Sequence, residues 1–224
     1  MSGLPVLLFL IFISALPVLL LFLWYRRARC PVSPLWFLIF LFGGASSLFL
    51  ALIMQGLIPV LPGSSVRSLG NIGSVLFNQF CRIAATEETA RFLVFLILFP
   101  LARIKGEQAL LRGSAAGLAA GLGFALIESA SYGASDTGIA LLRTVTSAPL
   151  HGACGARVGA AAASFGEGPF PVILRFLSAV AIHGMYNIMI FSSGVLAVMA
   201  ILAAFCALAS SILLIRFQLK PRDS

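Results

Sequence analysis

The chain holds five glutamates and two histidines, and three of those glutamates with both histidines lie inside long apolar runs. Glu87, Glu88 and Glu128 are joined there by His151 and His183, and Asn187 follows His183 by one helical turn. A carboxylate at mid-bilayer costs about 2.5–3.5 kcal/mol on insertion scales, so each needs a partner or a water-filled cavity. Imidazole nitrogens and carboxylate oxygens are ordinary zinc ligands, and two histidines with a carboxylate leave one position open for water. Without a metal, a carboxylate could act as general base while a histidine and Asn187 stabilise an oxyanion. The groups come from separate segments, with no HExxH-type spacing, so both chemistries stay open.

Local spacing narrows the roles. In the run Thr86-Glu87-Glu88-Thr89-Ala90-Arg91 the two glutamates point about 100° apart on a helix, so one should face the site and the other should be structural. Arg91, four residues after Glu87 and three after Glu88, is a structural ion-pair partner for either, and Glu88 is given the site by a narrow margin. Gly113, Gly117, Gly121, Phe124, Ala125 and Glu128 recur at steps of three and four on one helix face, as do Ser147, His151, Gly155 and Gly159, with Pro149 just before the histidine. Small residues in such rows let two backbones approach, which turns Glu128 and His151 into a helix contact and away from lipid.

These groups must be carried by membrane helices. The chain is 60% hydrophobic and 10% charged over 224 residues. We read an all-α polytopic transmembrane bundle of about seven spans, near 4–24, 35–58, 74–101, 113–132, 138–164, 170–191 and 194–217, each close to the roughly 20 residues a bilayer crossing needs. Short connections leave one transmembrane domain over 1–224, with a catalytic core about 74–192. The net charge of +8 is explained by topology and lipid headgroups, with no nucleic acid as partner. Arg26, Arg27, Arg29, Arg103, Lys105, Arg112, Arg216, Lys220 and Arg222 fall on one side against Arg67 on the other, which orients the N-terminus outside and the C-terminus in the cytoplasm. The first apolar run has its arginines behind it, unlike a signal peptide, and is read as a retained span. Cys30, Cys81, Cys154 and Cys206 are widely spaced and read as small apolar fillers.

Four elements in this order resemble the PrsW family of intramembrane proteases, relatives of the CAAX prenyl-endopeptidase and bacteriocin-processing family. They are Glu87-Glu88-Thr89-Ala90-Arg91, Gly121 to Glu128 with Phe124-Ala125 between, Pro149-Leu150-His151 followed by spaced glycines, and His183-Gly184-Met185-Tyr186-Asn187. Arg91 stands where the family usually has lysine, and Ser129 where asparagine often follows the glutamate. The resemblance implies peptide-bond hydrolysis by Glu87 or Glu88, Glu128, His151 and His183, with Asn187 assisting. It also implies a membrane-anchored protein substrate, of anti-sigma-factor type in some relatives, and a bacterial cytoplasmic membrane. If a metal takes part, zinc on Glu88, Glu128, His151 and His183 is the expected set.

Two other classes fit parts of the pattern. Intramembrane Glu and His chains also mark ion- or proton-coupled transporters, which would couple Glu128 to substrate uptake. A non-catalytic membrane scaffold is the second, since a gamma-secretase subunit of the anterior-pharynx-defective type has a similar seven-span plan. Internal sequence repeats and paired broken helices, the usual marks of transporters, are not evident here.

Overall fold

In the computed structural model, residues 3–66, 71–133, 137–192 and 194–219 are described, and all of their regular structure is helical. Arg67, Lys220 and Arg222, three of the charges used for orientation, lie outside the described residues.

Helices stand at all seven places the apolar runs mark. The first run forms α1 (Gly3–Ser14) and α2 (Leu16–Arg27), parted at Ala15 because Pro17 has no N–H to return to the preceding turn. Next, α3 (Pro34–Leu57) starts under a Ser33 cap, whose hydroxyl accepts from the Trp36 N–H at 3.3 Å, and stops at Ile58, extended before Pro59. The third run is α4 (Ile72–Leu76), a π-helical stretch Phe77–Ala84, and α5 (Ala85–Leu101). It is capped by Asn71, which accepts from the Ser74 N–H. Then come α6 (Ala109–Gly133), α7 (Thr137–Ala163), a 3₁₀ turn Phe165–Glu167, α8 (Pro169–Phe191) and α9 (Val195–Leu219).

The glycine rows set the centre of the bundle. A Cβ on Gly117 would stand 2.1 Å from the Gly155 carbonyl oxygen, and one on Gly121 would stand 2.0 Å from that of His151. A Cβ on Gly159 would stand 2.2 Å from the Gly113 oxygen, so α6 and α7 meet backbone to backbone along their glycine faces. The same device seats α3 on α6, where Gly123 faces the Leu41 carbonyl and Gly44 faces that of Ala120. Helix α6 is therefore enclosed by its neighbours.

Four helices, α3, α6, α8 and α9, are long and apolar enough to cross a membrane. The other three runs depart for visible reasons: α1 and α2 are parted at Ala15, α5 carries Glu87, Glu88 and Arg91, and α7 carries Arg143, His151 and Arg157. The outside of the bundle is apolar, with Leu57, Phe12, Phe42, Phe49 and Leu202 exposed. Its inside holds charge, with Glu87, Glu88, Arg91, His151 and His183 all buried. That inversion of the soluble pattern is what a bilayer solvent requires.

Candidate active site

The π-helical stretch widens the helix just before the two glutamates, a local departure common at functional sites. At its exit Thr86 turns its hydroxyl back onto the Arg82 and Ile83 carbonyls, at 2.6 and 2.9 Å. Phe80 of this stretch lies flat against Gly184, where a Cβ would come within 2.4 Å of the ring. Gly184 thereby brings α8 close enough for its neighbour His183 to reach both glutamates.

The two glutamates do divide their roles. Glu88, fully buried, has one oxygen against Nη1 of Arg91 and the other 2.7 Å from Nδ1 of His183. The carboxylate accepts, so Nδ1 carries the hydrogen and a neutral His183 offers its Nε2 lone pair on the other side. That nitrogen lies 3.6 Å from Oε2 of Glu87. Glu87 takes a hydrogen bond from Gln55 of α3 on Oε1, at 3.2 Å, while its Oε2 is buried with no hydrogen-bond partner. The sequence leaned to Glu88 as the residue facing the site. The packing instead commits both Glu88 oxygens to Arg91 and His183, because Arg91 takes the carboxylate three residues before it at short range and leaves the one four before it at 4.0 Å.

On the opposite wall α6 and α7 supply Glu128 and His151. Nε2 of His151 lies 2.8 Å from Oε2 of Glu128, whose other oxygen is 2.6 Å from Arg143 of α7. Ser147 adds a longer contact of 3.4 Å. Nδ1 of His151 faces Nη2 of Arg91 at 3.1 Å. Phe124 lies under both, 4.4 Å from the Arg91 guanidinium and 4.9 Å from the His151 ring. The two imidazoles stand perpendicular with centroids 5.0 Å apart.

These groups border a cavity of about 320 Å³ lined by Glu87, Glu128, His151, His183 and Asn187. Glu88 and Arg91 stand behind that wall. Sequence reasoning missed Arg143 and Gln55. Arg143 could have been found, since it lies four residues before Ser147 and eight before His151, a charge on the row already marked. Gln55 near the end of an apolar helix gave no comparable signal.

Ligand atoms of Glu87, His151 and His183 all fall within 4.8 Å of one another, a cluster suited to one metal ion. The orphaned Oε2 of Glu87 and the lone pair on Nε2 of His183 fit such an ion directly. His151 would fit by a change of tautomer: ligation through Nε2 would need its one ring hydrogen moved to Nδ1 and Arg91 turned away from that nitrogen. Glu88 holds the far nitrogen of His183, the usual carboxylate support of a ligating imidazole. Of the set expected from sequence, Glu88, Glu128, His151 and His183, this cluster holds both histidines, with Glu87 as its carboxylate.

No curated protein and no solved structure gives a match. The pattern of the PrsW family of intramembrane metalloproteases, however, matches residues 31–213 and so takes in every group of this cavity. The chain is an integral membrane protein and belongs to the PrsW family of intramembrane metalloproteases.

Proposed function

We propose that the Glu/His cavity hydrolyses a peptide bond of a membrane-anchored protein substrate, with Glu87, His151 and His183 holding a zinc ion and Glu128 serving as general base. The observation that carries this is Oε2 of Glu87, buried without a hydrogen bond, 3.6 Å from Nε2 of His183 and 4.0 Å from Nη2 of Arg91, beside a second carboxylate. When bound, the metal supplies Lewis acidity that lowers the pKa of water and polarises the scissile carbonyl. The protein's own groups do the rest. Glu128 takes a proton from the attacking water, and Arg143 and Ser147 keep its carboxylate turned to the cavity. Asn187, one turn beyond His183 on the cavity wall, is placed to donate to the developing oxyanion. Glu88 and Arg91 position the two imidazoles without touching substrate.

The cavity reaches the bundle end where α3, α6 and α8 finish, as its lining by Gln55, Tyr132 and Phe191 requires. With seven spans and the N-terminus outside, this is the extracytoplasmic end of a single transmembrane domain. That placement suits a substrate of the anti-sigma-factor type in a bacterial cytoplasmic membrane.

The decisive experiment reconstitutes the protein with a panel of single-span membrane proteins. Wild type should cut at least one, and Glu87→Gln should lose the activity while keeping the melting profile. Normal cleavage by Glu87→Gln would refute the assignment.

A further inference from the structure

A second cavity, about 210 Å³, lies among α6, α7, α8 and α9 toward the end opposite the Glu/His site. Its wall includes Ser114, Arg157, Arg175, Ser210, Ser211 and Leu214. Arg157 sits inside α7, six residues before the helix ends at Ala163, or about 9 Å at 1.5 Å per residue. In a bilayer of 40–45 Å including headgroups, that depth is about where lipid phosphates meet the acyl chains.

Among the described residues three arginines of the bundle have acids to meet them, while Arg82 and Arg112 rest on backbone carbonyls. Arg91 has Glu88, Arg143 has Glu128, and Arg175 has Glu167 at 2.9 Å. The partners of Arg157 are neutral: the Ala153 carbonyl at 3.0 Å, the Ala207 carbonyl at 3.4 Å, Ser211 at 2.9 Å and Ser210 at 2.9 Å. Carbonyls and hydroxyls orient a guanidinium without neutralising its charge, and charge left within the membrane is costly. Across the cavity, the Ser114 hydroxyl is 2% exposed for the residue as a whole and has no hydrogen-bond partner. A buried orphan donor and an uncompensated guanidinium on one small cavity share one complement, an oxyanion with several acceptor atoms.

We propose that this cavity is a phosphate-binding site, in which Arg157 supplies the charge and Ser114 a hydrogen bond, distinct from the catalytic cavity. The phosphate can come from a lipid headgroup, whose chains would run over Leu214 and the neighbouring apolar surface, or from free phosphate. Arginine suits this role because its fork pairs two phosphate oxygens at once.

The test measures thermal unfolding of the full chain in detergent with dihexanoyl-phosphatidylglycerol, with inorganic phosphate at matched ionic strength, and with dihexanoylglycerol, which lacks phosphate. Wild type should melt several degrees higher with the phospholipid and not with dihexanoylglycerol. A matching shift with inorganic phosphate assigns the site to the free anion, and its absence assigns it to the lipid. Arg157→Met should abolish the shift while melting no lower than wild type without ligand, since an apolar side chain replaces an uncompensated charge. Ser114→Val, which keeps the arginine, should raise the half-saturating concentration about threefold. No shift with either phosphate probe, or an equal shift in Arg157→Met, overturns the proposal.

Discussion

Arg91 places Nη2 3.1 Å from Nδ1 of His151, and that one contact decides which nitrogen of the imidazole carries its hydrogen. A guanidinium only donates, so Nδ1 accepts and Nε2 must be the N–H that reaches Glu128 at 2.8 Å. Glu88 does the opposite for His183: by accepting at 2.7 Å it puts the hydrogen on Nδ1 and bares Nε2. The adjacent pair Glu88 and Arg91 thus gives the two histidines different tautomers across a 5.0 Å gap between ring centroids.

Arg91→Lys tests this directly. Lysine keeps a charge for Glu88 but cannot span from Glu88 to His151 with a planar fork, so the His151 tautomer is released. Cleavage should fall about 10- to 100-fold with a small change in melting temperature. Nitrogen-15 spectra of labelled histidine should show the His151 hydrogen redistributed between the two nitrogens. An unchanged His151 signal would remove Arg91 from this role. Arg91→Ala should instead destabilise the fold by about 3–5 kcal/mol, because it strands the buried Glu88 charge.

Glu87 and Glu88 should separate into an activity phenotype and a stability phenotype. Glu88→Gln leaves Arg91 only the more distant Glu87 carboxylate, 4.0 Å away, inside the bundle and should lower the denaturation midpoint clearly. Glu87→Gln keeps the Gln55 contact within reach and loses only the longer ion pairs, at 4.0 Å to Arg91 and 3.6 Å to His183, so the midpoint should move less. If chemical or thermal melts ranked the two variants the other way, the division of roles drawn here would be wrong.

Much of this was legible beforehand, for a physical reason. Lipid penalises every buried charge, so Glu87, Glu88, Glu128, His151 and His183 stood out against apolar runs, and spacing by three and four showed which faces met. The glycine rows of α6 and α7 could be read because only backbone contact explains them, and the structure pairs Gly117 with Gly155 and Gly121 with His151. The choice between the glutamates was not legible, because it hangs on which of two carboxylates Arg91 takes, and spacings of three and four both allow an ion pair. Arg143 was legible as a charge on the row of Ser147 and His151, but its partner Glu128 lies on another helix, and spacing alone does not pair the two.

The glycine contact makes its own prediction. Gly117→Ala puts a methyl where the Gly155 carbonyl oxygen is 2.1 Å away, so α6 and α7 must part by more than a side chain can absorb. The cost should be about 1–3 kcal/mol. Cleavage should fall with it, since Glu128 and His151 sit on the two helices being separated. Gly56→Ala in α3, where nothing lies within 4 Å of the added carbon, is the control and should be neutral or stabilising by about 0.5–1 kcal/mol. Equal behaviour of the two variants in thermal melts would argue that α6 and α7 are not in backbone contact.

Metal removal probes the cluster itself. Elemental analysis of purified wild type should find about one zinc per chain, the number a single three-residue cluster can hold. Dialysis against a chelator should abolish cleavage, and zinc should restore it. Glu87→Gln and His183→Ala each remove a ligand atom that is free in the fold, so both should lose the metal. Asn187→Ala removes a group on the cavity wall outside the cluster and should keep the metal while slowing turnover. Glu88→Gln should weaken metal affinity about 10- to 100-fold, because its partner nitrogen on His183 loses a carboxylate acceptor. A preparation with no bound metal and full cleavage would leave the uncommitted oxygen of Glu87 as the base. The zinc reading would then fall while the protease assignment stood.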